Sequence, residues 1–127
     1  MKLLHTMLRV KDLERSVRFY RDALGMREER RVVLSKADAT LVFLGDGTGE
    51  HRIELTYNHD GRDYELGTQF GHFAFAVEDM DRERARLEDL GIAFTRGPYT
   101  VTEGGSRIAF VRDPDGVEIE LVERGHS

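Results

Sequence analysis

The chain contains no cysteine among its 127 residues, which excludes a thiolate nucleophile, a cysteine-based zinc site, an iron–sulfur cluster and any disulfide. Any metal held by protein side chains must therefore rest on His, Asp or Glu. Tryptophan is absent as well, and only two prolines accompany 13 glycines, a balance that predicts many turns rather than disorder. There is no basic excess. The 19 Lys and Arg face 24 Asp and Glu, for a net charge of −5, so no face is expected to neutralise a phosphate backbone and nucleic acid is not an expected partner. Apolar runs such as Phe73-Ala74-Phe75-Ala76-Val77 fall far short of the ~20 residues that span a bilayer. With no signal-like segment at the N-terminus, a cytoplasmic protein is expected. The length suits one domain with one core.

What the sequence does have is a repeat. Displacing the chain along itself lays His5 on His72, Val10 on Val77, Asp12 on Asp79, Leu41 on Ile108 and Phe43 on Phe110. One position less lays Leu24-Gly25 on Leu90-Gly91 and Ile53-Glu54-Leu55 on Ile119-Glu120-Leu121. Each copy opens with an alternating, strand-like segment, Leu3 to Val10 and then Phe73 to Val77. A helix follows in each, capped by Asp12 or Asp79 and ended by Gly25 or Gly91. The first helix carries Leu13, Val17, Tyr20 and Leu24 on one face; the second has a thinner stripe of Met80, Leu87 and Leu90. Three short strands are predicted after each helix: residues 31–34, 41–44 and 52–57, then 92–95, 108–111 and 118–122. Gly45-Asp46-Gly47 and Asp113-Pro114-Asp115-Gly116 supply the turns before the last strand of each copy. The predicted organisation is module one over 1–58, a connector over 59–68 and module two over 69–124.

Four residues stand out: a histidine in the first strand of each copy, His5 and His72, and a glutamate flanked by Ile and Leu in the last, Glu54 and Glu120. A carboxylate between apolar strand neighbours is costly unless it points to the other face and is paired, hydrated or bound to a cation. Alternation puts Glu54, Thr56 and Asn58 on one face and Ile53, Leu55 and Tyr57 on the other. A single strand His or Glu is more often a surface or hydrogen-bonded residue than a ligand. The recurrence of both types at matched positions changes that balance. If the first and last strands of each copy are neighbours, two imidazoles and two carboxylates can converge on one divalent ion such as Ni, Co, Zn, Mn or Fe. His51, His59 and His126 lie in polar sequence and are expected to be solvated. The charged run from Asp81 to Asp89 reads as a water-facing helix surface. Gly104-Gly105, with no phosphate-loop pattern around it, reads as a flexible loop.

Several stretches together resemble the vicinal oxygen chelate superfamily over nearly the whole chain: residues 3–10, Phe19-Tyr20, Leu24-Gly25-Met26, residues 53–58, Gly71-His72, Ile108-Ala109-Phe110-Val111, Asp113-Pro114-Asp115-Gly116 and Ile119-Glu120-Leu121. The segments around His5 and Glu54, and from Tyr64 to His72, are more specifically similar to the short bacterial glyoxalase I (lactoylglutathione lyase) family. The resemblance implies an α+β fold of two tandem βαβββ modules forming curved mixed sheets around a metal site. It also implies a homodimer with the metal between subunits, His5 and Glu54 coming from one chain and His72 and Glu120 from the other. A histidine at the first ligand position and the short chain favour nickel or cobalt, with zinc as the other option.

The activity implied is isomerisation of the hemithioacetal of methylglyoxal and glutathione to S-lactoylglutathione, detoxifying methylglyoxal. Glu120 would be the proton-shuttling base, with Glu54 in the symmetric role for the other epimer. Arg9 and Asn58 match positions that bind the glutamyl end of glutathione; they lie on the faces of His5 and Glu54, roughly 13 Å along the strands. The chain departs from the family at Thr102, where relatives carry a lysine for the glycyl carboxylate, and the loop over 97–106 has no basic residue. Arg107 substitutes, the thiol is held more loosely, or a different low-molecular-weight thiol serves. The rival expectations are a non-enzymatic small-molecule (drug) binding protein of the same fold, which the intact four-residue set disfavours, and another metal enzyme of the superfamily such as an epimerase, a thiol transferase or an extradiol dioxygenase.

Overall fold

The computed structural model describes residues 1–124 and divides into two units, Met1–Glu65 and Leu66–Ser127. The expectation for His126 lies outside the described residues. In the first unit, β1 (His5–Arg9) leads to α1 (Leu13–Asp22), then β2 (Arg27–Leu34), β3 (Ala39–Gly45) and β4 (Arg52–Asn58). The second repeats the order with β5 (His72–Val77), α2 (Met80–Asp89), β6 (Arg96–Thr100), β7 (Arg107–Arg112) and β8 (Glu118–Glu123). The strand orders are β1-β4-β3-β2 and β5-β8-β7-β6. Only the first and last strands of each unit run parallel; the rest of each sheet is antiparallel. The doubled βαβββ order expected from the sequence is what is found.

Local chemistry explains the helices. Asp12 accepts a hydrogen bond from the Arg15 amide at 3.2 Å, and Asp79 does the same for Arg82 at 3.2 Å, each satisfying a donor that the first turn leaves free. Gly25 and Gly91 end the helices at φ 72° and 82°, a region glycine enters without steric cost. Val17 and Tyr20 of α1 are buried, with Val42, Leu44, Ile53 and Leu55 of the sheet beneath. Met80 and Leu87 of α2 are matched by Ala109, Val111, Ile119 and Leu121. Each sheet therefore packs its odd- or even-numbered apolar set against its own helix and turns the other set, which includes the glutamate, away from it.

Two strands differ from expectation. The predicted strand over 92–95 is displaced to Arg96–Thr100, because the Ile92 amide is used to close α2 on the Leu87 carbonyl at 2.9 Å in a Schellman arrangement. Sheet contact begins only at Thr95, whose amide reaches the Phe110 carbonyl at 2.7 Å. Gly97 makes the close approach possible, since a Cβ there would lie 2.6 Å from the Ile108 carbonyl oxygen. Strand β2 starts earlier than expected, at Arg27, and takes in the charged run Arg27-Glu28-Glu29-Arg30-Arg31. It is an edge strand, where charge is tolerated and discourages pairing with other chains. No helix among the described residues is long and apolar enough to cross a membrane.

Candidate functional site

The parallel pair at the edge of each sheet sets the site. In β1/β4 the register pairs His5 with Arg52 and Met7 with Glu54; in β5/β8 it pairs His72 with Glu118 and Ala74 with Glu120. Residues paired across strands share a face, and so do residues two apart. Histidine and glutamate are thus on one face, on adjacent strands and offset by one such step. His5 Nε2 lies 3.2 Å from Glu54 Oε1, and His72 Nε2 lies 3.2 Å from Glu120 Oε1.

The same aromatic completes both pairs. Phe43 is opposite Glu54 across β3/β4 and meets the His5 ring edge-on at 5.5 Å and 79°. Phe110 is opposite Glu120 across β7/β8 and meets the His72 ring at 5.4 Å and 85°. These contacts limit the tilt of each imidazole. An arginine lies over each phenyl ring: Arg30 at 5.8 Å from the Phe43 centroid and Arg96 at 3.9 Å from that of Phe110, placing a cation on the ring's negative face. Sequence reasoning missed both arginines. They are related by the displacement that lays Glu54 on Glu120, so the repeat carried the signal, hidden in the charged sequence of β2.

The pairs are not identical in their surroundings. Glu54 and Thr56 are both buried, so this face is drier than the polar face expected there. The Thr56 hydroxyl donates to Glu54 Oε2 at 2.6 Å. At the matched place in β8 stands Val122. The two histidine side chains are each 38% exposed, so each pair is accessible at its imidazole.

The remaining expected residues are placed as follows. Arg9 is exposed at the end of β1, opposite Thr56. Asn58 closes β4 and donates from its side-chain nitrogen to the Tyr64 hydroxyl at 2.8 Å, a partner the sequence reading did not assign. Thr102 lies in the exposed loop before β7, where its carbonyl accepts from the Gly105 amide at 2.9 Å. Arg107 is directed away from the Glu120 face. It is paired with Glu123 through Nε at 3.0 Å and with Asp81 at 3.2 Å, and alternation puts Glu123 opposite to Glu120. Its hydrogen bonds to Glu123 and then to Asp81 hold its guanidinium protonated well above the ordinary value. His51 and His59 are not simply solvated. His51 Nε2 is 3.2 Å from the Thr6 hydroxyl, with Nδ1 buried. His59 lies between Asp38 at 3.0 Å and Thr40 at 2.8 Å.

Among the described residues no three or more His, Asp or Glu side chains gather as a metal site. The chain brings its four expected ligands together as two pairs, one per unit. The donor chemistry of each pair, an imidazole nitrogen beside a carboxylate oxygen with no sulfur, fits half of a coordination shell for a borderline divalent ion. The nitrogen–oxygen separation is 3.2 Å in both pairs.

Residues 2–121 match the Glyoxalase/Bleomycin resistance protein/Dioxygenase superfamily. The lactoylglutathione lyase of Haemophilus influenzae is 46% identical over 125 residues, 97% of this chain and 93% of that protein. Glyoxalase I from Zea mays superposes with a TM-score of 0.90 at 37% identity, covering 99% of this chain but only 46% of that one. The trypanothione-dependent glyoxalase I of Leishmania major superposes with a TM-score of 0.82 at 38% identity, over 97% of this chain and 86% of that one.

Proposed function

The chain belongs to the Glyoxalase/Bleomycin resistance protein/Dioxygenase superfamily and is an enzyme of its lactoylglutathione lyase branch; on that premise we propose that His5, Glu54, His72 and Glu120 are the residues through which it works. The reaction is isomerisation of the hemithioacetal of methylglyoxal and a thiol to a 2-hydroxyacyl thioester, which is S-lactoylglutathione when the thiol is glutathione. A carbon-bound proton moves to the adjacent carbonyl carbon and an oxygen-bound proton changes oxygens, so nothing is oxidised overall.

The four side chains would hold one divalent ion, nickel or cobalt in preference to zinc. When bound, that ion supplies Lewis-acid stabilisation of negative charge on the substrate oxygens. Two copies of the chain would complete each site, His5 and Glu54 from one meeting the partner's His72 and the partner's Glu120. What supports this reading is that each unit carries the same histidine–glutamate–phenylalanine cluster, with 3.2 Å between nitrogen and oxygen in both.

Glu120 takes the carbon-bound proton and returns it to the neighbouring carbon, with Glu54 in that role for the other epimer. His5 and His72 stay ligands, each ring held by its phenylalanine. Arg9 binds the glutamyl carboxylate of the thiol, and Asn58, steadied by Tyr64, hydrogen-bonds beside it. The second carboxylate of glutathione meets no base from the loop over 97–106, so thiols lacking that group should serve nearly as well. The test is metal content together with thioester formation, followed by ultraviolet absorbance, for apo protein and after addition of nickel, cobalt or zinc. Turnover that appears only with metal supports the reading; no turnover with any metal or thiol contradicts it.

A further inference from the structure

The two glutamates are matched in sequence position, in their histidine and in their phenylalanine, but not in what holds the second carboxylate oxygen. Glu54 has both oxygens engaged: Oε1 faces His5 at 3.2 Å and Oε2 accepts the Thr56 hydroxyl at 2.6 Å. A hydroxyl donating to a carboxylate at that distance is in the strong, charge-assisted range. The donor is well fixed, because Thr56 lies two residues along the same strand, on the same face and buried at 7% exposure, with the stiff χ1 of a β-branched side chain. Glu120 has its Oε1 on His72 at 3.2 Å, while the residue two along β8 is Val122, which has no donor. Its side chain is also the more exposed of the two, 17% against 11% for Glu54.

We infer that Thr56 is a positioning residue that steadies Glu54 at the cation and makes Glu120 the freer of the two carboxylates for proton transfer. The inference rests on the proposed metal site and deepens it. A carboxylate held at both oxygens keeps its orientation when the rest of the site changes during turnover. One held at a single oxygen is free to turn toward a substrate carbon and back. Valine at 122 is therefore part of the division of labour, since it fills the place of a threonine without supplying a donor. Partners that orient a ligand commonly alter metal affinity by about 10- to 100-fold when removed.

The test uses nickel alone as the binding probe, by calorimetric titration of the full chain, alongside kcat and KM, for wild type, Thr56→Val, Thr56→Ser and Val122→Thr. Thr56→Val should bind nickel about tenfold or more weakly, and Thr56→Ser, which keeps the hydroxyl, should restore wild-type affinity. Val122→Thr should bind nickel at least as tightly as wild type and lose kcat about tenfold with KM little changed, because its hydroxyl would engage Glu120. Wild-type nickel affinity in Thr56→Val overturns the inference, as does a raised KM there without weaker nickel binding, which would make Thr56 a substrate contact. Undiminished kcat in Val122→Thr overturns it too. A wild-type protein that binds no divalent ion contradicts the metal site itself, a result distinct from any of these.

Discussion

The His72 imidazole meets the Glu120 carboxylate at 3.2 Å across the parallel strands β5 and β8, at the separation found between His5 and Glu54 across β1 and β4. The pairing is a consequence of sheet geometry. In each unit the histidine begins the first strand and the glutamate sits one same-face step further along the last strand. Duplication of the unit therefore duplicates the pair. Changing one residue of either pair should leave the sheet intact, since the apolar faces of Leu55 and Leu121 do the packing.

Replacing the base should separate chemistry from folding. Glu120→Gln is expected to lower kcat by roughly 10²- to 10⁴-fold while circular dichroism and thermal unfolding stay close to wild type, because the amide has nearly the same volume. A variant with near-normal kcat would show that Glu120 does not move the proton.

Arg107 offers a test of how the thiol is held. Its guanidinium is tied to Glu123 and Asp81 on the α2 side of the sheet, so Arg107→Ala should leave KM for the glutathione adduct within about twofold of wild type, as expected of a side chain that adds no substrate-binding energy. A tenfold rise in KM, with the fold intact, would place Arg107 in substrate binding after all.

Acid should reveal the turn before β4. Hydrogen bonds from the Thr48 hydroxyl and amide hold the Asp46 carboxyl below its usual range. A folded-state value below the unfolded one contributes stability above the unfolded value of about 4, and the contribution is lost as pH falls through the folded value. Thr48→Val should therefore be less stable than wild type near neutrality, by under about 1 kcal/mol because the group is exposed. The difference should shrink as pH falls below the carboxylate range. Urea unfolding at several pH values measures it, and a difference that does not change with pH would contradict this origin.

Much of this architecture was legible because the relevant signals were local or repeated. Asp12 and Asp79 declared the helix starts, Gly25 and Gly91 their ends, and the recurrence of histidine in the first strand and glutamate in the last strand of each copy picked out both pairs. Other features were silent for physical reasons. The hydrogen bond from Thr56 depends on the burial of a hydroxyl two residues from a carboxylate, and the same spacing on a wet strand would carry no weight. Arg30 was hidden because a charged edge strand has no apolar alternation to announce it. Ile92 looked like strand because it is β-branched and apolar, yet its amide was needed to finish α2. The partner of Asn58 lies in the stretch read as a connector, where composition marks a loop but not the direction of Tyr64.

In the proposed site the histidine–glutamate pair of one copy's first unit works with that of another copy's second unit. Mixing two inactive double variants tests it directly: His5→Ala with Glu54→Gln in one chain, and His72→Ala with Glu120→Gln in the other. Each mixed dimer would hold one site with all four native residues, so refolding equal amounts together should recover activity, up to about a quarter of wild type for statistical pairing in a twofold dimer. Mixed dimers, identified by mass, that remain as inactive as either parent would contradict this shared arrangement.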